Sequence, residues 1–261
     1  MELETITASE EVASISDQKL KLLVQETVNQ VSVKQLFITW QQLFDSQQLK
    51  NSQMHELFTE IYHEQLLFNG IESNDNNLAL KRSLIAFVLA RLAQLHLERP
   101  WLNLAEATLL SEMALDYMDQ ESVHVSECQH YSWLQPFANG AELLANVVLF
   151  VEFDNERVQR ALTVISHIIL DIGPFSGGEE SRIDNVIVHL VGEDLIDSKE
   201  LMRWVNDLIA NAKKDLSQTF SLSTFLRSLV FKLEYEGLSF KQFNQTVNQF
   251  LNEVYQQNNC L

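Results

Sequence analysis

The chain has few of the residues that interrupt helices. Its 261 residues include only 7 glycines and 3 prolines, which leaves few of the turn signals that β-sandwiches and wound α/β sheets require. Cysteine is also scarce, because Cys128 and Cys260 are far apart and form no C-x-x-C motif. Neither a disulfide framework nor a zinc site is therefore indicated. These shortages favour helices and a reducing compartment, and we expect a cytoplasmic protein.

Basic residues are the next shortage. The chain has 18 Lys and Arg against 36 Asp and Glu, which gives a formal net charge of -18. A field of this sign repels phosphate backbones and anionic lipid surfaces, so we expect no nucleic-acid partner and no membrane partner. The sequence also has no run of roughly 20 apolar residues and no basic, then apolar leader at its start. We therefore expect neither secretion nor membrane insertion.

What the sequence does contain is helical periodicity. Apolar residues recur every three or four positions in about eleven segments, joined mainly by short polar connections. Residues 78–97 are apolar nearly all round, which predicts a central helix with Leu84, Val88 and Leu92 buried. Other local expectations are a third helix over residues 52–67 and helix starts at Asp17, residues 197–200 and residues 221–224.

Together the segments predict an all-α fold. The arrangement we expect is an irregular α/α superhelix of antiparallel helix pairs, similar to HEAT-like or armadillo-like solenoids. It is irregular because the sequence contains no strict internal repeat. Residues 17–261 are expected to form a single all-helical domain with one continuous core, after a frayed lead-in over residues 1–16.

One predicted helix, within residues 132–148, carries a polar stripe. Gln135, Asn139, Glu142 and Asn146 follow one another at steps of four, three and four, so their side chains share a narrow face. The rest of this helix is apolar. Polar groups on such a helix need partners in a neighbouring element, or they face a polar ligand.

A glycine-rich turn leads into a second polar helix. Gly177 and Gly178 precede Glu179, Glu180 and Arg182, and exposed backbone N–H groups at such a turn could hold an anion. However, the sequence has neither of the glycine patterns of nucleotide-binding loops, G-x-x-x-x-G-K-[ST] and G-x-G-x-x-G, so we expect no nucleotide or other cofactor. The alternative interpretation is a tight turn followed by acidic residues that complement a helix N-terminus.

The second helix continues with a polar stripe of its own. Arg182, Asn185, His189 and Glu193 are spaced by three, four and four residues, and two polar stripes on separate apolar helices could face each other. The seven histidines show no H-E-x-x-H motif or other cluster typical of metal ligands, so we expect no metal. The G-x-S-x-G elbow of serine hydrolases is missing as well.

Several short blocks together resemble a known family. The blocks are residues 66–72, 81–84, 99–102, 133–142 and 175–182, with Trp204 beyond them. In order and spacing they resemble the bacterial "domain of unknown function 2785" family, and the resemblance covers roughly residues 57–208. It implies an all-helical fold but no established activity.

The family pattern differs from this sequence at the first polar stripe. The family has Trp-x-His-x-x-Ala-His-x-Ala-Asp, and the aligned polar positions here are Trp133, Gln135, Asn139 and Glu142. Both family histidines are thus replaced by amides, which exchange no proton near neutral pH. If the family motif is catalytic, the resemblance implies that this member is inactive. The family's glycine, acidic pair and arginine are retained, which keeps a binding pocket plausible.

Two functions stay open at this point. The first is a non-catalytic binding or scaffold module that takes a protein, a peptide or a small polar ligand. The second is a small-molecule enzyme of α/α superhelical type, with Glu142 or Glu179 as acid or base and Trp133 as a stacking wall. We expect the stripe to face the turn at residues 178–182, with Arg182 near a carboxylate. The candidate pocket consists of Trp133, Gln135, Asn139, Glu142, Glu179, Glu180 and Arg182.

Overall fold

The computed structural model describes residues 15–29, 33–46, 49–123, 135–175, 178–212, 215–238 and 240–257. Within these ranges the protein has eleven α-helices and no strand, so the predicted all-α fold is confirmed. The helices are α1 (Asp17–Asn29), α2 (Val33–Asp45), α3 (Asn51–His63), α4 (Asn76–Glu98), α5 (Leu104–Gln120), α6 (Pro136–Val147), α7 (Asn155–His167), α8 (Glu180–Gly192), α9 (Ser198–Ala212), α10 (Leu216–Tyr235) and α11 (Lys241–Gln257).

The long helix α4 lies at the centre, as its sequence predicts. Leu84, Val88 and Leu92 are each 0% exposed, and so is Ala141 of α6. The Asp75 side chain begins α4 by accepting from the Asn77 amide at 2.7 Å. Hydrophobic side chains from every described helix join α4 in one buried cluster.

Alternate helices form a layer in which neighbours run in the same direction. The most extensive contacts are those of α4 with α6, α6 with α8, and α8 with α10. Asn139 contacts Ser83 while Asn146 contacts Ala90, so moving forward along α6 moves forward along α4 as well. Helices α4 and α6 are therefore parallel.

The helices between them turn the chain back. Glu121, which follows α5, pairs with Arg82 near the start of α4, so α4 and α5 are antiparallel. The intervening helices also contact one another: Trp204 Nε1 of α9 donates to the Leu162 carbonyl oxygen of α7 at 3.1 Å. Helices α4 and α5 thus form one antiparallel pair, whereas the stacking of successive pairs into a HEAT-like or armadillo-like solenoid stays a prediction.

Two local predictions were wrong. Helix α3 ends at His63 and not near residue 67, because Gln65 adopts a left-handed φ of 50° before a short 3-10 turn, Leu66–Phe68. Helix α10 begins before Ser221, because the Asp215 side chain caps it by accepting from the Gln218 amide at 3.0 Å. The proposed lead-in falls almost wholly outside the described residues, so it stays a prediction, as does the single domain.

Candidate functional site

The polar stripe of α6 is attached to α4 through its two asparagines. Asn139 is 3% exposed, and its Nδ2 donates to the carbonyl oxygen and the Oγ of Ser83 at 3.2 and 3.0 Å. Two turns later Asn146 Nδ2 donates to the Ala90 carbonyl oxygen at 3.0 Å. A carbonyl oxygen has two lone pairs, so it can accept from an amide as well as from its own helix. The amides of the stripe therefore join two helices.

Glu142 of the same stripe contacts α8 instead. Its carboxylate accepts from Arg182, and the two side chains are 31% and 48% exposed. The pairing expected between Arg182 and a carboxylate is therefore present. A pair as exposed as this contributes at most about 1 kcal/mol to stability.

His189 supplies a second link between α8 and α6. Its Nδ1 lies 2.6 Å from the carbonyl oxygen of Ala145, which is in the last turn of α6, where helix carbonyls lack an N–H partner of their own. Because a carbonyl oxygen only accepts, Nδ1 carries the hydrogen and Nε2 is the acceptor of the neutral ring. The second stripe thus faces α6, but only Glu142 of the first stripe meets it. The expectation that the whole first stripe faces residues 178–182 was wrong, because its two asparagines bind the neighbouring helix α4.

The other described candidate pocket residues lie at the starts of α6 and α8. Trp133 lies outside the described residues. Gln135 is the residue before α6 and Glu179 the residue before α8, and neither side chain makes a capping hydrogen bond. Glu180 is buried and belongs to the group described next. A shared role of the seven residues in holding a ligand remains a prediction.

Two carboxylates of α8 are buried against α10. Asp184 is 0% exposed and lies one turn after Glu180. Within the described ranges, neither oxygen of Asp184 has a hydrogen-bond partner of good geometry, nor has Oε1 of Glu180. Burial raises the pKa of Asp184 well above its usual range and Glu180 adds to the rise, while Ser228 and Lys232 oppose it. The pKa of Glu180 is also raised, chiefly by burial. The folded protein therefore retains a proton here at higher pH than a solvated carboxyl group does.

Lys232 of α10 is half-buried and lies next to these two buried carboxyl groups. Its Nζ donates to the Ser181 carbonyl oxygen and to Asn185 Oδ1, the latter at 2.5 Å. Burial lowers the pKa of Lys232 and Arg182 lowers it further, whereas Asp184 raises it. The ammonium group is thus already occupied by acceptors on α8.

A groove of about 710 Å³ runs between the C-terminal halves of α8 and α10. We call it the α8–α10 groove. Its α8 side consists of Asn185, Val188, His189, Gly192 and Glu193, and its α10 side of Phe231, Lys232, Tyr235, Glu236 and Leu238. Three members of the second polar stripe therefore line one surface.

The polar atoms offered to a ligand in the α8–α10 groove are mainly acceptors. Glu193 and Glu236 are exposed, and neither forms an ion pair with any described residue. His189 presents an acceptor nitrogen because its Nδ1 hydrogen is used on α6. Lys232, the cation of the groove, donates to α8. The groove is consequently suited to a ligand that carries hydrogen-bond donors or positive charge.

The α10 side of the groove exposes aromatic rings. Phe231 and Tyr235 are 69% and 80% exposed, and their rings stack with centroids 6.5 Å apart and planes inclined by 21°. Leu216 and Phe220 are exposed on the same helix. At 100° per residue these four side chains fall within about 100° of arc, and we call them the α10 outer stripe. Exposed apolar side chains that neighbour one another, as each i, i+4 pair does here, are typical of interaction sites.

Sequence reasoning missed the α10 outer stripe, although a signal for it exists. The buried side chains Leu222, Leu226, Leu229 and Leu233 occupy one face of α10. The four exposed apolar residues are centred on the opposite face. A helix with a second apolar face, opposite the one that packs on the core, predicts either a further buried contact or a docking surface.

A buried ion pair was missed as well. Arg82 of α4 donates from Nε and Nη2 to the two Glu121 oxygens at 2.8 and 2.9 Å, and both side chains are fully buried. Arg82 Nη1 also donates to the carbonyl oxygens of Asn69 and Gly70. The signal was a charged residue in a segment apolar nearly all round, because such a charge needs a buried partner.

Two further classes of feature concern metal ligands and membrane-spanning helices. Across the described ranges, no three His, Cys, Asp or Glu side chains gather as metal ligands. No described helix combines the length and the apolar character that a bilayer crossing demands. The candidate site is accordingly described by hydrogen-bonding, charged and aromatic side chains alone.

Comparison with known proteins identifies the family. Residues 67–231 match the family model described as "Protein of unknown function (DUF2785)". Because this segment is more than half of the chain, the protein belongs to that family, as the sequence blocks predicted. Neither a curated protein nor a solved structure matches the chain. The family segment includes Phe231 of the α8–α10 groove, whereas Tyr235 lies beyond it.

Proposed function

We propose that this member of the DUF2785 family is a non-catalytic, cytoplasmic binding module that holds a segment of a partner protein in the α8–α10 groove. The observation that carries the proposal is the exposed stack of Phe231 and Tyr235 beside an acceptor-lined groove. Stacked helix pairs of HEAT-like type present extended surfaces of this kind to partners. Aromatic side chains are also the residues that most often dominate the energy of protein interfaces.

The alternative, an enzyme that uses Glu142 or Glu179 as acid or base, has less support. The Glu142 carboxylate is held by Arg182, and the neighbouring polar residue Asn139 is used to bind α4. An acid or base must reach the reacting proton in a substrate complex. The Oε2 atom of Glu142 would have to leave its arginine to do so.

A peptide-display selection on the purified protein tests the proposed function. Random peptides selected on the immobilised protein are expected to bind it in solution and to protect α8 and α10 amides from hydrogen exchange. The variant Phe231→Ala/Tyr235→Ala should bind these peptides at least about tenfold more weakly, since truncating central aromatic contacts has effects of this size. A matched control is Tyr62→Ala/Leu104→Ala, which truncates two exposed apolar side chains on α3 and α5.

Two outcomes would contradict the proposal. Equal binding by the two double variants would remove the groove from the interaction. Turnover of a small molecule in a substrate screen, lost in Glu142→Gln, would make the enzyme the better reading. The aromatic double variant and the control double variant should both fold, because exposed substitutions usually change stability by no more than about 0.5 kcal/mol.

A further inference from the structure

We infer that the occupant of the α8–α10 groove is a basic amphipathic helix of a partner protein, whose apolar face packs on the α10 outer stripe and whose Lys or Arg side chains reach Glu193 and Glu236. This inference rests on the proposed function and adds the chemistry and the shape of the partner. It requires three properties of the site: a long apolar track, acceptors beside the track, and charge that excludes other occupants.

The apolar track has the length of a helix. The outer stripe begins at Leu216 and ends at Tyr235, the first and last residues of the 20-residue helix α10. At 1.5 Å per residue it therefore extends over about 28 Å. Its members are separated by 4, 11 and 4 residues, so an i, i+4 apolar pair of the kind that another helix packs against stands at each end of α10. Thr224 and Arg227 occupy the same arc between the two pairs. A helix of about 18 residues would cover this track from end to end.

The acceptors lie beside the aromatic end of the track. Glu193 on one wall and Glu236 on the other flank the exposed rings. Stacked aromatic faces attract cations through the ring quadrupole, so a Lys or Arg side chain would find both ring faces and carboxylates there. Guanidinium and ammonium groups are pure donors, which matches the acceptor nitrogen left on His189.

One cation lies on the same arc of α10 and limits where the partner's charge can sit. Arg227 is exposed between Phe220 and Phe231 on the sequence, but it donates to the Tyr255 hydroxyl of α11 at 3.1 Å and to Thr224 Oγ1 at 3.2 Å. It therefore turns toward α11. The partner's basic residues are expected at the Tyr235 end, and its purely apolar residues at the Leu216 end.

Charge argues against the other occupants. A second copy of the chain would bring together two molecules that each carry a formal net charge of -18, with Glu193 and Glu236 of both at the contact. Like charges at an interface oppose association. A nucleic acid meets the same repulsion. A positively charged segment is attracted instead, and long-range attraction also speeds its encounter.

The test uses synthetic peptides as probes. The basic probe is an acetylated and amidated peptide of about 18 residues, with Leu and Trp along one helical face and Lys and Arg beside it. A second probe has the same apolar face with Glu in place of each basic residue, and a third is a scrambled basic peptide. Fluorescence anisotropy with the full chain gives Kd, and circular dichroism reports whether the bound peptide becomes helical.

We expect the basic probe to bind as a helix and the other two to bind at least about tenfold more weakly. Phe231→Ala/Tyr235→Ala should raise Kd by about tenfold or more, and Glu193→Gln/Glu236→Gln by about three- to tenfold, an effect that added salt diminishes. The matched control Glu72→Gln/Glu156→Gln changes the net charge equally, from -18 to -16. It should change Kd by less than about twofold.

Three results would overturn the inference. The acidic probe could bind as well as the basic one, the control pair could weaken binding as much as the groove pair, or the basic probe could bind without becoming helical. Failure of the inference is distinguishable from failure of the proposed function. If display-selected peptides are acidic or extended yet still depend on Phe231 and Tyr235, the groove is a binding site and only the partner chemistry is wrong.

Discussion

Replacing Arg82 with methionine removes the cation of a fully buried ion pair. The Arg82 side chain makes two hydrogen bonds to Glu121 and two to the carbonyl oxygens of Asn69 and Gly70. Methionine fills a similar volume but donates to none of these acceptors. Glu121 is then a buried carboxylate without its cation, and removing one partner of such a pair destabilises a protein by about 3–5 kcal/mol. This is at least about a fifth of the typical 5–15 kcal/mol of folding free energy.

Urea unfolding followed by far-UV circular dichroism measures the effect. A matched control is Arg91→Met, because Arg91 pairs with Asp45 at 3.2 Å but the two side chains are 28% and 58% exposed. The control should lose no more than about 1 kcal/mol. If Arg82→Met unfolds within about 1 kcal/mol of the native protein, the argument from burial is refuted.

A double variant separates the loss of the ion-pair attraction from the cost of leaving the Glu121 carboxylate buried without a partner cation. In Arg82→Met/Glu121→Leu no charge is left buried, so the destabilisation should be smaller than in Arg82→Met alone. It should not vanish, because the Glu121 side chain also accepts from the amides of Ser122 and Val123. A double variant less stable than Arg82→Met would show that hydrogen bonds to the backbone, and not the unpaired carboxylate, dominate at this position.

Three further substitutions test other parts of the structure. Burial raises the pKa of Asp184, so the stability that its proton confers is present at low pH. This stability is lost as pH rises through the folded-state pKa, by up to about 1.4 kcal/mol per pH unit. The variant Asp184→Asn should flatten this decline when urea midpoints are measured against pH, and an unchanged slope would contradict the assignment. In Gly140→Ala the new Cβ would lie 2.6 Å from Met118 Sδ and 2.7 Å from Tyr117 Cε1. The resulting overpacking, about 1–3 kcal/mol, should outweigh a gain in helix propensity of about 1 kcal/mol, so the melting temperature should fall. A raised melting temperature would show that these α5 side chains can move to accommodate the methyl group. Glu142→Gln breaks an exposed pair and should cost less than about 1 kcal/mol by thermal unfolding, whereas a loss of more than about 2 kcal/mol would mean that the pair is part of a buried network.

Periodicity was sufficient to locate the helices. Helix α4 was recognised because apolar residues surround it, and that property is encoded locally in the sequence. The start of α10 was placed too late because two capping signals compete there, Asp215 and Ser221. A side chain caps only where the following amides point at it, and the sequence does not show which of two candidates the chain uses.

The candidate site was harder to predict, because its contacts join distant parts of the chain. The need of Asn139 and Asn146 for partners could be read from their apolar helix, but each partner lies 56 residues earlier in the chain. Only the packing of α6 on α4 selects Ser83 and Ala90. Phe231 and Tyr235 were overlooked for a related reason: an exposed apolar face and a buried one have the same sequence pattern, and burial is decided by neighbouring helices.

The hydrogen bonds that organise the layer also prepare the groove. Contacts from α6 to α4 recur after seven residues on both helices, so the two amides fix the register of one parallel pair. Helix α8 is then set on α6 by Glu142 and by His189. Because His189 Nδ1 must face the Ala145 carbonyl oxygen, the rotation of α8 about its axis is fixed, and with it the side of α8 that lines the groove. The polar stripe of α6, which has the sequence pattern of a ligand site, thus joins helices to one another. Because these contacts orient α8, they also place the α8 acceptors on which the proposed binding depends.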